Sequence, residues 1–98
     1  MSDIDTLSSR QRSNVMKPRP DLAIENADGE LIVLDKVAGK VHQLNSSASF
    51  VWACLSDGLA IDEMALMLSE AFDVEPETAL SDVHAALAQF KGLALVIE

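Results

Sequence analysis

Between residues 21 and 44 the apolar residues of this chain recur every second position, and from Asn45 onward every third or fourth, so the pattern predicts a sheet followed by helices. Ahead of the sheet, residues 1–20 carry no sustained period and end in Lys17-Pro18-Arg19-Pro20. Two prolines there disfavour both helix and central strand, and the stretch is expected to be a flexible arm. In the first strand Leu22 and Ile24 alternate with Ala23 and Glu25, and Asp28-Gly29 supplies a tight hairpin turn. Glu30 to Val37 reads as the second strand. Its Leu31-Ile32-Val33-Leu34 run is apolar on both faces, which predicts a central strand covered on each side. Ala38-Gly39 turns the chain again, and Lys40 to Leu44 completes an antiparallel meander of three strands.

Asn45 or Ser46 can accept hydrogen bonds from the free amides that open a first helix, whose stripe is Ala48, Val51, Trp52 and Leu55; Gly58 ends it. A second helix is expected over Asp62 to Phe72, with Asp62 as cap, Ile61 stapled against Leu66, and Met64, Ala65, Leu68, Ala71 and Phe72 buried. Pro76 suits the first turn of a third helix, in which Leu80, Val83, Leu87 and Phe90 fall on one face and which Gly92 stops. The apolar Leu93 to Ile97 reads as a short closing strand or a packed tail. Three strands, then three helices, make an α+β domain over residues 21–98, its sheet burying one face on the helices.

Composition narrows the function more than the fold. Ninety-eight residues hold one domain, which buries only about 60 to 65% of its unfolded surface, so the core alone must stabilise it. The single cysteine, Cys54, excludes an internal disulfide. No apolar run is long enough to cross a bilayer, and the polar start does not resemble a secretory signal, so a cytoplasmic location without membrane contact is expected. Charge is divided: residues 1–20 have a balance of +2, whereas the other residues carry three lysines against fourteen acids, a balance of −11. An acidic body repels nucleic acid and favours partners of basic or apolar character.

Candidate chemistry is sparse. His42, His84 and Cys54 lack the paired spacing of a zinc site, so no metal or other cofactor is expected. Cys54, inside an apolar helix, reads as an inert buried thiol, and Asp62-Glu63 as helix-opening acids that favour the macrodipole rather than a catalytic pair. Each glycine stands alone at a turn or helix end, so there is no phosphate-cradling loop. Trp52 is most economically a core residue. No catalytic residue is assigned, and the chain is not expected to be an enzyme.

Against this background residues 28–93 resemble the PqqD family, also called RiPP recognition elements, which serve ribosomally made, modified peptides. The resemblance rests on Asp28-Gly29-Glu30-Leu31-Ile32-Val33-Leu34-Asp35, on Gly39-Lys40-Val41-His42-Gln43-Leu44-Asn45, and on Val51-Trp52 with Leu55 and Asp57-Gly58. It continues through Ile61-Asp62-Glu63-Met64, Leu68 and Phe72-Asp73-Val74 to Asp82-Val83, Leu87 and Gly92-Leu93. Two departures stand out: His42 occupies a position often aromatic in the family, and Ala60 one where a Ser or Thr commonly caps the second helix.

The resemblance implies a winged-helix-like domain that binds an extended leader peptide between its third strand and third helix. It implies, too, a non-catalytic peptide chaperone that hands its cargo to a maturation enzyme, such as a radical-SAM protein, cyclase or peptidase, for PQQ, a lasso peptide or another product. Strand physics supports such binding independently, because a third strand with one neighbour leaves a row of unpaired amides and carbonyls that an extended peptide can fill. The expected contacts are Lys40, Val41, His42, Gln43 and Leu44 on the strand, with Ser81, His84, Ala85, Ala88 and Lys91 along the helix. Two other readings stand beside it. A winged-helix DNA regulator could use the second and third helices, although Glu77 and Asp82 face only Lys91 in charge. A plain dimerisation module could pair the same edge with a second copy, forming a homodimer.

Overall fold

Along the chain the elements are β1 (Lys17–Pro18), β2 (Ala23–Ala27), β3 (Glu30–Asp35), β4 (Lys40–Gln43), α1 (Ser46–Ser56), α2 (Ile61–Phe72), α3 (Pro76–Gly92) and β5 (Val96–Ile97), in a computed structural model that describes residues 16–97. Strands β2, β3 and β4 form an antiparallel sheet in that order, and the three helices follow, as the spacing predicts. The first hairpin turns on Asp28 and Gly29, at φ 56° and 87°. Two left-handed residues are what a tight hairpin of the natural strand twist requires, and Asn26 Oδ1 accepts the Gly29 N–H at 2.9 Å. In the second hairpin Asp35 Oδ1 accepts the Ala38 N–H at 3.1 Å.

The expectation that β3 is covered on both sides is half met. It is central in the sheet, and Val33 and Asp35 on its inner face are buried, but Ile32 and Leu34 on the outer face are only half-buried, and their β4 neighbour Val41 is exposed. All three helices pack on one side. Apolar residues on the outer face therefore read from sequence like core residues although nothing in the described chain covers them.

One hydroxyl joins the sheet to the first helix. Ser49 Oγ accepts the Leu31 N–H at 2.8 Å and donates to the Leu44 carbonyl at 3.2 Å, at the point where β3 and β4 diverge. Ser49 is buried, so neither backbone group can turn to water instead. Ser49→Ala is expected to lower stability by about 2 kcal/mol in a urea titration, and a loss within error of zero would mean that the strands close without it.

Asn45 caps α1, its Oδ1 accepting the Ala48 N–H at 2.8 Å. The expected stripe is buried, and Trp52 meets Phe90 of α3 edge to face, with centroids 5.0 Å apart. Helix α2 opens earlier than expected. Ala60 is the cap residue, its own N–H donating to Glu63 Oε1 at 2.9 Å, and Asp62 lies inside the first turn, where its carboxylate accepts the Glu63 N–H. Ile61 is thus helical, Leu66 is exposed rather than stapled, and Ala71 and Phe72 are more exposed than the spacing suggests. In α3 the small Ala79 is buried in place of Leu80, and the helix runs through Gly92 to a left-handed Ala94 at φ 60°.

Residues 1–15 of the expected arm lie outside the described residues. Its end is tied down: Lys17 and Pro18 pair antiparallel with Ile97 and Val96, and Met16 packs against the core. Arg19 anchors this corner. Its guanidinium grips Asp35 at 2.9 and 3.2 Å and Asp21 at 2.7 and 3.1 Å, and it donates to the Ala94 carbonyl at 2.9 Å. One cation thereby links the first strand, the sheet and the chain's last turn.

Candidate functional site

Antiparallel pairing alternates residues whose amide and carbonyl face the neighbouring strand with residues whose groups face away. Leu44 donates to the Leu31 carbonyl at 2.8 Å, which fixes the phase of the ladder. Counting back, His42 and Lys40 turn their backbone groups toward β3, and Val41 and Gln43 turn theirs outward. The register agrees, with Val33 opposite His42 and Leu34 opposite Val41. Among the described residues no other strand pairs with β4, so the outward amides and carbonyls of Val41 and Gln43 form a free edge.

Helix α3 stands off from that edge. No Cα of β4 lies within 8 Å of a Cα of α3. Their ends are nevertheless matched. Asp82 shares a cavity of about 410 Å³ with Asn45, Ser46 and Glu30, and Glu30 Oε1 accepts from Gln43 Nε2 at 2.9 Å, which places the first half of α3 by the end of β4. At the other end Arg19 bridges Ala94, just past α3, to Asp35, which lies opposite Lys40. The helix from Asp82 to Gly92 rises about 15 Å, and the strand from Lys40 to Asn45 spans about 16 Å. Between these two ties β4 and α3 run antiparallel.

Of the strand residues expected at a binding site, Lys40, Val41 and Gln43 are exposed on the edge and His42 is half-buried. Leu44 stands apart. It is fully buried, and its amide and carbonyl are already bonded to Leu31 and Ser49. Ser81, His84, Ala85, Ala88 and Lys91 are all exposed and turn away from the core face of Ala79, Val83, Ala86 and Phe90. His84 and Lys91 fall on the opposite side of α3 from Asp82, and Ala85 lies nearest to it. Sequence reasoning passed over Asp82, Glu30 and Phe72 as lining residues, because the cavity they border joins four separate elements.

Ionisable groups in the domain are mostly structural. Arg19 holds the Asp35 and Asp21 carboxyls below the usual carboxylate range, chiefly through its hydrogen bonds, with the Ala38 amide assisting at Asp35. Burial pushes the Cys54 thiol up, away from the reactive thiolate. The described residues include no group of three or more His, Cys, Asp or Glu able to hold a metal, and no helix among them is long and apolar enough to cross a membrane.

The sequence profile described as coenzyme PQQ synthesis protein D (PqqD) matches residues 30–96. No curated protein matches the chain. Among solved structures, a lasso peptide synthetase B1 complexed with the leader peptide superposes with a TM-score of 0.76 at 25% identity, covering 85% of this chain and 98% of that one. TbiB1 in complex with the TbiA(beta) leader peptide has the same fold, with a TM-score of 0.74 at 20% identity, covering 82% of this chain and 93% of that one.

Proposed function

Because this chain belongs to the PqqD family, we propose that it captures the leader segment of a ribosomally made precursor as a fourth strand on β4 and presents it to a maturation enzyme. The observation that carries this reading is the free backbone edge of Val41 and Gln43. Added-strand hydrogen bonds supply affinity for many sequences, and the groove walls select among them. Both solved neighbours are described as bound to a leader peptide, which supports the same use of the fold here. In this reading Lys40 to Gln43 contact the peptide on one side, and Asp82 and Ala85 of α3 border the other with Ser81 and Ala88 at its rim, whereas His84 and Lys91 lie on the far side of the helix. Leu44 anchors the strand from the core.

The role is non-catalytic and cytoplasmic in this account, and the enzyme served is a radical-SAM protein, a cyclase or a peptidase of a PQQ, lasso or related pathway. DNA binding fits poorly. The exposed side of α3 has Glu77 and Asp82 where phosphate recognition needs clustered cations.

Decapeptides selected on the protein from a displayed random library, resynthesised and titrated beside a labelled DNA duplex over a range of salt, test the proposal. Saturable peptide binding with little salt dependence is expected. Tight, salt-steep duplex binding without peptide capture would overturn it.

Ala85 offers a sharper probe of the helix wall. It is exposed, so Ala85→Trp should leave the melting temperature unchanged while its indole fills the groove and weakens peptide binding at least about tenfold. Unaltered affinity would move the helix contacts off this flank.

A further inference from the structure

The outer face of the sheet meets the free edge at Val41. Although apolar, Val41 is 66% exposed, and it borders a hollow of about 220 Å³ whose other walls are Leu34, Gly39 and the Asp35, Lys36 and Lys40 segments. The hollow presents almost no polar surface. It lies on the side of the sheet away from the helices, since Val41 pairs directly with Leu34 and neither packs against the core. Two positions along the same face, Gln43 donates to the Glu30 carboxylate, whose described side-chain partner is this neutral amide alone.

From this geometry we infer that the outer face reads the captured peptide at two positions, selecting an apolar side chain opposite Val41 and a hydrogen-bond donor, above all Lys or Arg, opposite Gln43. The inference rests on the strand-addition reading given above. Val41 and Gln43 turn their backbone groups outward, so an added strand meets each of them in a hydrogen-bonded pair, with the paired side chains on the same face. A peptide residue opposite Val41 therefore projects onto the outer face beside the hollow, where an aliphatic or aromatic group removes apolar surface from water. Antiparallel addition places the residue two positions earlier in the peptide opposite Gln43, within reach of Glu30. The residue between them faces inward, toward His42 and the α3 groove. Selectivity on the outer face thus takes the form donor, any residue, apolar.

The occupant of the hollow is the peptide's own side chain, because Val41 both lines the hollow and stands on the free edge that the peptide pairs with. Val41→Glu is the informative variant. The position is exposed on an edge strand, so the fold tolerates the change, and a carboxylate there should convert the apolar preference into one for Lys or Arg.

The experiment passes wild type and Val41→Glu through the same displayed library of random decapeptides and then titrates one wild-type binder, with and without Lys at its apolar position. Wild-type binders are expected to share an apolar residue two positions after a Lys, Arg, Asn or Gln. The Lys-substituted peptide should lose at least tenfold affinity for wild type and regain it on Val41→Glu. Retention of the apolar preference by Val41→Glu overturns the inference and leaves strand addition standing. A failure of both proteins to select any binder overturns the peptide-capture reading itself, and this inference with it. Should sedimentation show instead that wild type is a dimer dissociated by Val41→Glu, the hollow belongs to a second copy and the inference fails.

Discussion

Gln43→Pro is expected to abolish peptide capture while leaving the domain folded. The Gln43 amide points away from β3, so proline removes no bond from the native ladder, and an edge strand accepts the ring. What it removes is a donor to the incoming strand. The peptide carbonyl it would have met is left unpaired, at a cost of about 1–3 kcal/mol, and the ring displaces the peptide backbone. Together these predict at least about a hundredfold loss of affinity with a nearly unchanged melting temperature. His42→Pro is the control of opposite phase. Its amide faces Val33, so proline there should destabilise the fold itself by about 3 kcal/mol. If the two substitutions had equal effects on stability, the assigned phase of β4 would be wrong.

The second large effect lies at the Arg19 corner, where Asp35 stands opposite Lys40 of β4. Asp35 has a side chain only 4% exposed, and Arg19 covers both of its oxygens. Replacing Arg19 by Met leaves a buried carboxylate held only by the neutral backbone amides of Ala38 and Val37 among the described residues, and removes the bond to Ala94 that holds the end of the chain. A fall in melting temperature of about 10 °C is expected. Adding Asp35→Asn to this variant should recover part of the loss, since a neutral amide is less costly to bury than a lone carboxylate.

Acid separates the wild type from the Arg19→Met variant. In the folded wild type Arg19 lowers the Asp35 pKa, so the stability this pairing contributes is fully present above the unfolded carboxyl value near 3.9 and is lost as pH falls through the lower folded value. In Arg19→Met the carboxylate is buried without its cation, and protonation relieves it. The melting-temperature gap between the two proteins should narrow from pH 7 to pH 3, and a constant gap would contradict this role for Arg19.

How far the sequence foretold these features depended on how local their causes are. Asp28-Gly29 dictates its turn because both residues tolerate the left-handed region, and Asn45 caps α1 through an amide three residues away. That the third strand has a single neighbour was only a condition in the sequence, since the apolar tail at residues 93–97 could have closed the sheet there; it pairs with β1 instead. Features made by distant partners were hidden. Lys17 and Pro18 form a strand only because Val96 and Ile97 lie alongside, and no period within two residues flanked by proline could announce it. Arg19 and Asp35 are separated by 16 positions and meet only when the sheet is folded. Leu80 was expected inside on size and spacing, yet the tight approach of α3 to its neighbours admits Ala79 and turns Leu80 out. Within the candidate site the exposure of Lys40, Val41 and Gln43 follows from their strand, whereas the burial of Leu44 and the side of α3 that each helix residue occupies depend on how the helices pack.

Amide hydrogen exchange at β4, followed by NMR with and without a bound decapeptide from the selection, tests strand addition most directly. In the free protein the Val41 and Gln43 amides should exchange quickly and the His42 amide slowly; when peptide is bound, all three should be protected, with the large change confined to Val41 and Gln43. Saturating peptide that leaves Val41 and Gln43 exchanging at their free rates would show that it binds elsewhere, and β4 would not be the capturing edge.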